Sequence, residues 1–167
     1  CECGPSRLGR HHALRDLTRQ LHSRVTGYVA LREQRVVAWD RVNPHNGLWE
    51  EAVLDVSTRD PTSGRPVYVD AMVTCAHCDY APRQQGRAGR DGVAAEDGVR
   101  TKRRRYPPEG GELVPLVFET GGRPAEETVT YIRSLGAGVG DPVERSLLTR
   151  ALWLQCGNAE MLLSASG

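Results

Sequence analysis

Lysine is almost missing from this chain. Among 167 residues there is one, Lys102, against twenty-one arginines. Arginine thus supplies the ordinary surface positive charge. A solitary lysine becomes a candidate for chemistry that a permanently protonated, planar guanidinium does not perform. Long apolar runs are also missing. No stretch approaches the roughly 20 residues a bilayer-spanning helix needs, so no membrane partner is expected. Charge of one sign is not in excess: 22 Lys and Arg stand against 21 Asp and Glu, a net charge of +1. That excludes polyanion binding by the molecule as a whole and restricts nucleic-acid contact to local patches. Five cysteines, Cys1, Cys3, Cys75, Cys78 and Cys156, are too few and too irregularly spaced for a disulfide scaffold, which makes a reducing, intracellular compartment the expectation. Neither a phosphate-binding loop nor a nucleophile elbow occurs, which removes the support for a small-molecule enzyme of those kinds. There is no signal peptide, and a start at Cys1 reads as a piece of something longer.

What is present fits one α/β domain with a small sheet and flanking helices. The length suits a single core, and 39% hydrophobic with 26% charged residues is ordinary for a globular chain. Residues 1–10 are polar and contain Gly and Pro, and read as a flexible lead-in. From His11 to Thr26, Ala13, Leu14, Leu17, Leu21 and Val25 recur at helical spacing, and Gly27 suits a C-cap. Residues 28–31 and 34–39 read as a strand or hairpin, 43–47 as a loop, and 52–57 and 67–74 as two strands joined by a Pro- and Gly-containing turn. A polar helix is expected within 84–106, weakened by Gly86, Gly89, Gly92 and Gly98 at roughly 1 kcal/mol each. Residues 113–118 form an apolar strand whose Pro115 favours a sheet edge or bulge. A helix follows near 125–135, then two short ones near 143–155 and 158–164.

Two of these strands carry an aspartate, Asp55 and Asp70, and the helix after them carries Lys102. Phosphodiester cleavage needs a divalent cation to neutralise charge and generate hydroxide near neutral pH. Mg²⁺ or Mn²⁺ takes one or two carboxylates and fills its remaining positions with water and phosphate oxygens. Asp55 and Asp70 on adjacent strands are therefore the expected metal ligands, with a strand carbonyl such as that of Ala71 as an extra ligand. Lys102 is expected to orient the attacking water or to stabilise the charge on phosphorus. The basic run Arg100, Arg103, Arg104 and Arg105 would contact phosphates and position nucleic acid without reading its sequence.

Four segments carry a family resemblance: 52–56 (Ala-Val-Leu-Asp-Val), 64–70 (Gly-Arg-Pro-Val-Tyr-Val-Asp), 102–107 (Lys-Arg-Arg-Arg-Tyr-Pro) and 113–123, ending Glu-Thr-Gly-Gly-Arg. Together they resemble the C-terminal endonuclease-like region of LINE-type retrotransposon polyproteins, which is similar to the restriction-endonuclease-like, PD-(D/E)xK superfamily. The opening Arg10-His11-His12-Ala13-Leu14-Arg15-Asp16 and the closing 154–163 also resemble such polyproteins. The resemblance implies an endonuclease-like domain over 11–137 with a helical extension over 138–167. It further implies nicking of DNA, or of RNA, an upstream reverse transcriptase region as partner, and a nuclear location.

The chain departs from the superfamily pattern in its third motif. Asp70-Ala71-Met72 puts Met72 where the lysine belongs, so Lys102 must reach the site from the following helix. Helix 1 would normally offer a further acid. Glu33 is the first candidate, with Asp16, Glu50 and Glu51 behind it. Glu119 is expected to serve in helix-entry hydrogen bonding. Cys75-Ala76-His77-Cys78 lacks a second ligand pair for zinc. Cys1-Glu2-Cys3 with His11 and His12 reads as an incomplete zinc-knuckle tail, so no zinc is expected. A competing reading is a degenerate nuclease fold that only binds nucleic acid or holds a polyprotein together. Met72, the glycine-rich helix and the ragged N-terminus favour it.

Overall fold

A computed structural model describes residues 4–60, 63–75, 92–108, 111–120 and 122–137. Helix α1 spans Gly4–Thr26 and ends at Gly27, whose φ of 71° is the left-handed conformation a C-cap glycine supplies. It starts seven residues before His11, so residues 4–10 are helical and not a lead-in. Pro5 falls in the first turn, where its missing N–H breaks no helical bond. One stripe of α1 is turned inward: Leu14, Arg15, Thr18, Leu21 and His22 are buried, and His11 continues the stripe half-buried.

Six strands follow: β1 Leu31–Arg35, β2 Arg41–Val42, β3 Trp49–Glu50, β4 Val53–Arg59, β5 Pro66–Thr74 and β6 Glu112–Glu119. A 3-10 turn, Val37–Trp39, stands where an extended segment was expected. The remaining helices are α2, Val93–Arg105, and α3, Glu126–Ala137. The main sheet has the order β1-β4-β5-β6, and β2 and β3 form a separate two-stranded ribbon. β1 pairs antiparallel with β4, and β4 antiparallel with β5, as the turn between the two Asp-bearing strands implied. β5 and β6 run parallel, which requires the crossover that α2 provides.

The sheet is covered on both faces. On one side Leu14 and Leu21 of α1 and Ile132 of α3 pack on Val56, Val69, Ala71, Leu116 and Phe118. Each of these side chains other than Ala71 contributes about 1.5–3 kcal/mol by leaving water. On the other side Ala95 and Val99 of α2 pack on Val117, with Met72 against them. Alternation along β5 therefore sends Val69 and Ala71 to α1 and α3, and Met72 to α2. β6 is an edge strand, which admits Pro115. Its outer edge is satisfied by Thr128 of α3: the Val117 N–H donates to Thr128 Oγ1 at 2.9 Å. The other edge, β1, is exposed throughout and carries Arg32, Glu33 and Arg35, charges that discourage strand addition. The segments read as helices at 143–155 and 158–164, residues 84–91 and the Cys1, Cys3, His77 and Cys78 positions lie outside the described residues.

Candidate active site

The registered β4/β5 ladder runs from Arg59↔Pro66 to Val56↔Val69. Asp55 and Asp70 are the next positions along. There a side chain takes over from the backbone: the Ala71 N–H donates to Asp55 Oδ2 at 2.7 Å. On the other flank of β4, the β1 register passes from Arg32↔Val56 to Gln34↔Leu54 without pairing Glu33 to Asp55. Glu33 has φ of 50°, a left-handed backbone on a non-glycine residue. Both neighbours of β4 thus lose regular pairing at Asp55, which frees its carboxylate to meet groups from other elements.

Three groups converge on that point. Asp70 Oδ2 lies 2.6 Å from Lys102 Nζ, in an ion pair off the line of a well-aligned hydrogen bond. Asp55 and Asp70 lie close enough for each carboxyl to shift the other's proton affinity. His11 Nε2 lies 3.0 Å from Asp55 Oδ2. Lys102 therefore arrives from α2, and Met72 packs against the helix that delivers it.

Asp70 is 5% exposed. Burial pushes its carboxyl up to about 6, the charge of Lys102 draws it down, and Asp55 pushes it up again. For Asp55 burial also acts upward, but the hydrogen bond and charge of His11 and the Ala71 N–H outweigh it and hold that carboxyl below its ordinary value. The hydrogen bond to Asp55 raises His11 above the usual imidazole value, against the effect of burial. Two neighbouring carboxyls with pKa values pushed apart, one in a dry setting, form a site that gains from a cation.

The last turn of α2 is fastened beside this centre. Arg105 Nη1 donates to the Trp39 carbonyl at 2.5 Å, and Trp39 Nε1 donates to the Pro107 carbonyl at 2.6 Å. The Trp39 ring packs against Tyr68 and Tyr106. Burial, followed by the charge of Asp70, pushes the Tyr106 hydroxyl up to about 12. The first turn is held by Glu119, whose Oε1 accepts from the Ala95 N–H at 3.4 Å. Glu119 thus serves helix entry, but for α2 and not for the helix that follows it in sequence.

Other sequence-nominated residues are placed differently. Glu33 reaches Arg15, at 2.5 Å between Oε1 and Nη1, with its side chain largely exposed. Asp16 pairs with Arg15 and Arg32, Glu50 with Arg41, and Glu51 with Arg35. The group that α1 does bring to Asp55 is His11, a residue to which the sequence reading assigns no place in the site. In the sequence it is a titratable residue one turn before Leu14, a spacing that does not reveal whether the ring meets a carboxylate or fills space. Of the four arginines, Arg100 pairs with Asp97, Arg103 with Glu127 and Arg105 with Glu50 at 3.5 Å, while Arg105 Nη1 is spent on the Trp39 carbonyl. Arg104 is exposed and makes no ion pair among the described residues.

Asp55 and Asp70 supply hard carboxylate oxygens. Among the described residues no group of three or more His, Cys, Asp or Glu is arranged to hold a metal. A cation here would complete its shell with water and phosphate, the mode Mg²⁺ prefers. No helix among the described residues is long and apolar enough to cross a membrane. No protein-family model matches the chain, and no curated protein matches it.

Proposed function

We propose that this chain is a divalent-metal-dependent endonuclease that nicks DNA, built on a restriction-endonuclease-like scaffold of the kind found in LINE-type retroelement polyproteins. The observation that carries the reading is the meeting of Asp55, Asp70 and the only lysine, each from a different element, at 2.6 Å between Lys102 Nζ and Asp70 Oδ2. Lys102 sits nine residues, about two and a half turns, into α2, and its side chain is 20% exposed and turned to the sheet, which a random surface lysine has no reason to do. A mixed sheet flanked by three helices is compatible with that scaffold.

Asp55 and Asp70 would hold Mg²⁺ or Mn²⁺, which when bound neutralises phosphate charge and makes hydroxide accessible near neutral pH. Asp70 holds Lys102 in place by charge, and Lys102 presents its remaining N–H donors to a water or a phosphoryl oxygen. The buried surroundings of Asp70 strengthen that interaction relative to water. Tyr106 and Trp39 pack together and hold the end of α2. The retroelement reading brings with it an upstream reverse transcriptase region as partner, DNA or RNA as ligand and a nuclear location.

The test is nicking of supercoiled plasmid with Mg²⁺ or Mn²⁺. Asp70→Ala and Lys102→Ala are each expected to lower the rate about 100-fold or more. Loss in Asp70→Ala alone would remove Lys102 from the chemistry. Salt-sensitive DNA binding without nicking by the wild type would favour a binding module that has lost catalysis.

A further inference from the structure

The restriction-type pattern leads one to look for an acid on α1, and the structure places a histidine there. His11 lies one turn before Leu14, which is 2% exposed, so the inward stripe of α1 aims the ring at the sheet. Its Nε2 meets Asp55 Oδ2 at 3.0 Å, and the Ala71 N–H meets the same oxygen at 2.7 Å. Two donors fill the two lone pairs of one carboxylate oxygen. An ionised Asp55 only accepts, which puts a ring hydrogen on His11 Nε2, and Nδ1 is buried without a partner among the described residues.

We infer that His11 is a positioning residue for Asp55: with the Ala71 N–H it saturates Oδ2 and turns Oδ1 alone toward the cation. This rests on the nuclease reading, since the cation is the one proposed above. A third acid at this place would add negative charge beside Asp70, a carboxyl already disfavoured as an anion by its burial. A histidine instead donates, and fixes the carboxylate in one orientation. That is the outer-shell arrangement in which a second group orients a metal-ligating carboxylate, and loss of such a group typically weakens metal binding by 10–100-fold.

The experiment uses the whole chain and two readouts. The first needs no metal: long-range ¹H–¹⁵N spectra of histidine-labelled protein, with the His11 signal assigned by its loss in His11→Gln. The expected result is a slowly exchanging Nε2–H in the wild type that exchanges fast in Asp55→Ala. An Nδ1–H tautomer would overturn the inference. The second is Mn²⁺ binding by titration calorimetry, with circular dichroism to confirm folding. His11→Ala is expected to weaken binding about tenfold or more. His11→Gln, whose amide nitrogen reaches about where Nε2 stood, should recover most of it. Equal Mn²⁺ affinity in wild type and His11→Ala would sink the positioning role and leave the nuclease reading intact. No Mn²⁺ binding by the wild type would overturn the nuclease reading, and this inference with it.

Discussion

His22 shows what burial does to a titratable side chain that has no partner. It is 4% exposed on α1, its ring lies 5.5 Å from that of Tyr131, and neither ring nitrogen has a hydrogen-bond partner among the described residues. Asp60 and Glu112 line the same cavity of about 260 Å³. Burial pushes the imidazole down to about 4 and the Tyr131 hydroxyl well above its ordinary value. Because the folded pKa lies below the unfolded one, the unfolded chain takes up the proton first as pH falls. The His22 contribution to stability is whole above pH 6.5 and is lost between 6.5 and 4. At about 1.4 kcal/mol per pH unit the fall from pH 6.5 to 4.5 amounts to roughly 2–3 kcal/mol. Urea unfolding at pH 7.5 and 4.5 should show that loss in the wild type and a much smaller one in His22→Leu; equal losses would place the acid sensitivity elsewhere. At this scale Lys102 was legible because it is unique, and Asp55 and Asp70 because each is an acid in an apolar strand. His11 was not, since helical spacing alone does not separate a ring that meets a carboxylate from one that fills space, as His22 does.

Helix α2 carries the lysine, and its glycine content argued against it. Gly98 lies four residues before Lys102, on the same face. A Cβ there would stand 2.7 Å from Val117 Cγ1 and 3.4 Å from Met72 Sδ. In an exposed helix Gly→Ala stabilises by about 1 kcal/mol. Here the added methyl meets a stiff β-branched side chain on the strand floor, and overpacking of this kind costs about 1–3 kcal/mol. Gly98→Ala is therefore expected to lower the melting temperature, and to lower nicking further by lifting Lys102 from Asp70. A rise in melting temperature would show that α2 does not pack this closely. The glycine that weakened the helix in a one-dimensional reading permits the approach that brings the lysine in. Met72 likewise reads as decay until it is seen as the surface on which α2 rests. Long elements with periodic patterns, α1, β4, β5, β6 and α3, were legible. The β2–β3 ribbon was not, because its strands of two residues each are too short to show alternation. The start of α1 was misplaced because Gly4 and Pro5 suggest irregular chain when helix entry is not considered.

At the scale of the molecule, arginine among the described residues is mostly engaged with the protein itself. Arg15, Arg32, Arg35, Arg41, Arg100 and Arg103 each face an acid. With a net charge of +1, little is left to attract a polyanion. Each phosphate neutralised adds about 0.9 to the slope of log affinity against log salt. Duplex binding by this chain alone should therefore be weak and its slope shallow, on the order of 1–3. The four arginines of the basic run should also separate by assay. Arg104→Ala removes an exposed charge and should reduce the slope by about 1, with the melting temperature unchanged. Arg105 is different: its side chain is 10% exposed, it covers the Tyr106 ring at 4.9 Å, and it satisfies the Trp39 carbonyl. Arg105→Ala leaves that carbonyl without its partner, a loss of about 1–3 kcal/mol. It should lower the melting temperature and loosen the end of α2 while leaving the salt slope in place. The reverse outcome, a shallower slope with stability unchanged, would make Arg105 a phosphate contact and detach the Trp39 carbonyl from the support of Lys102.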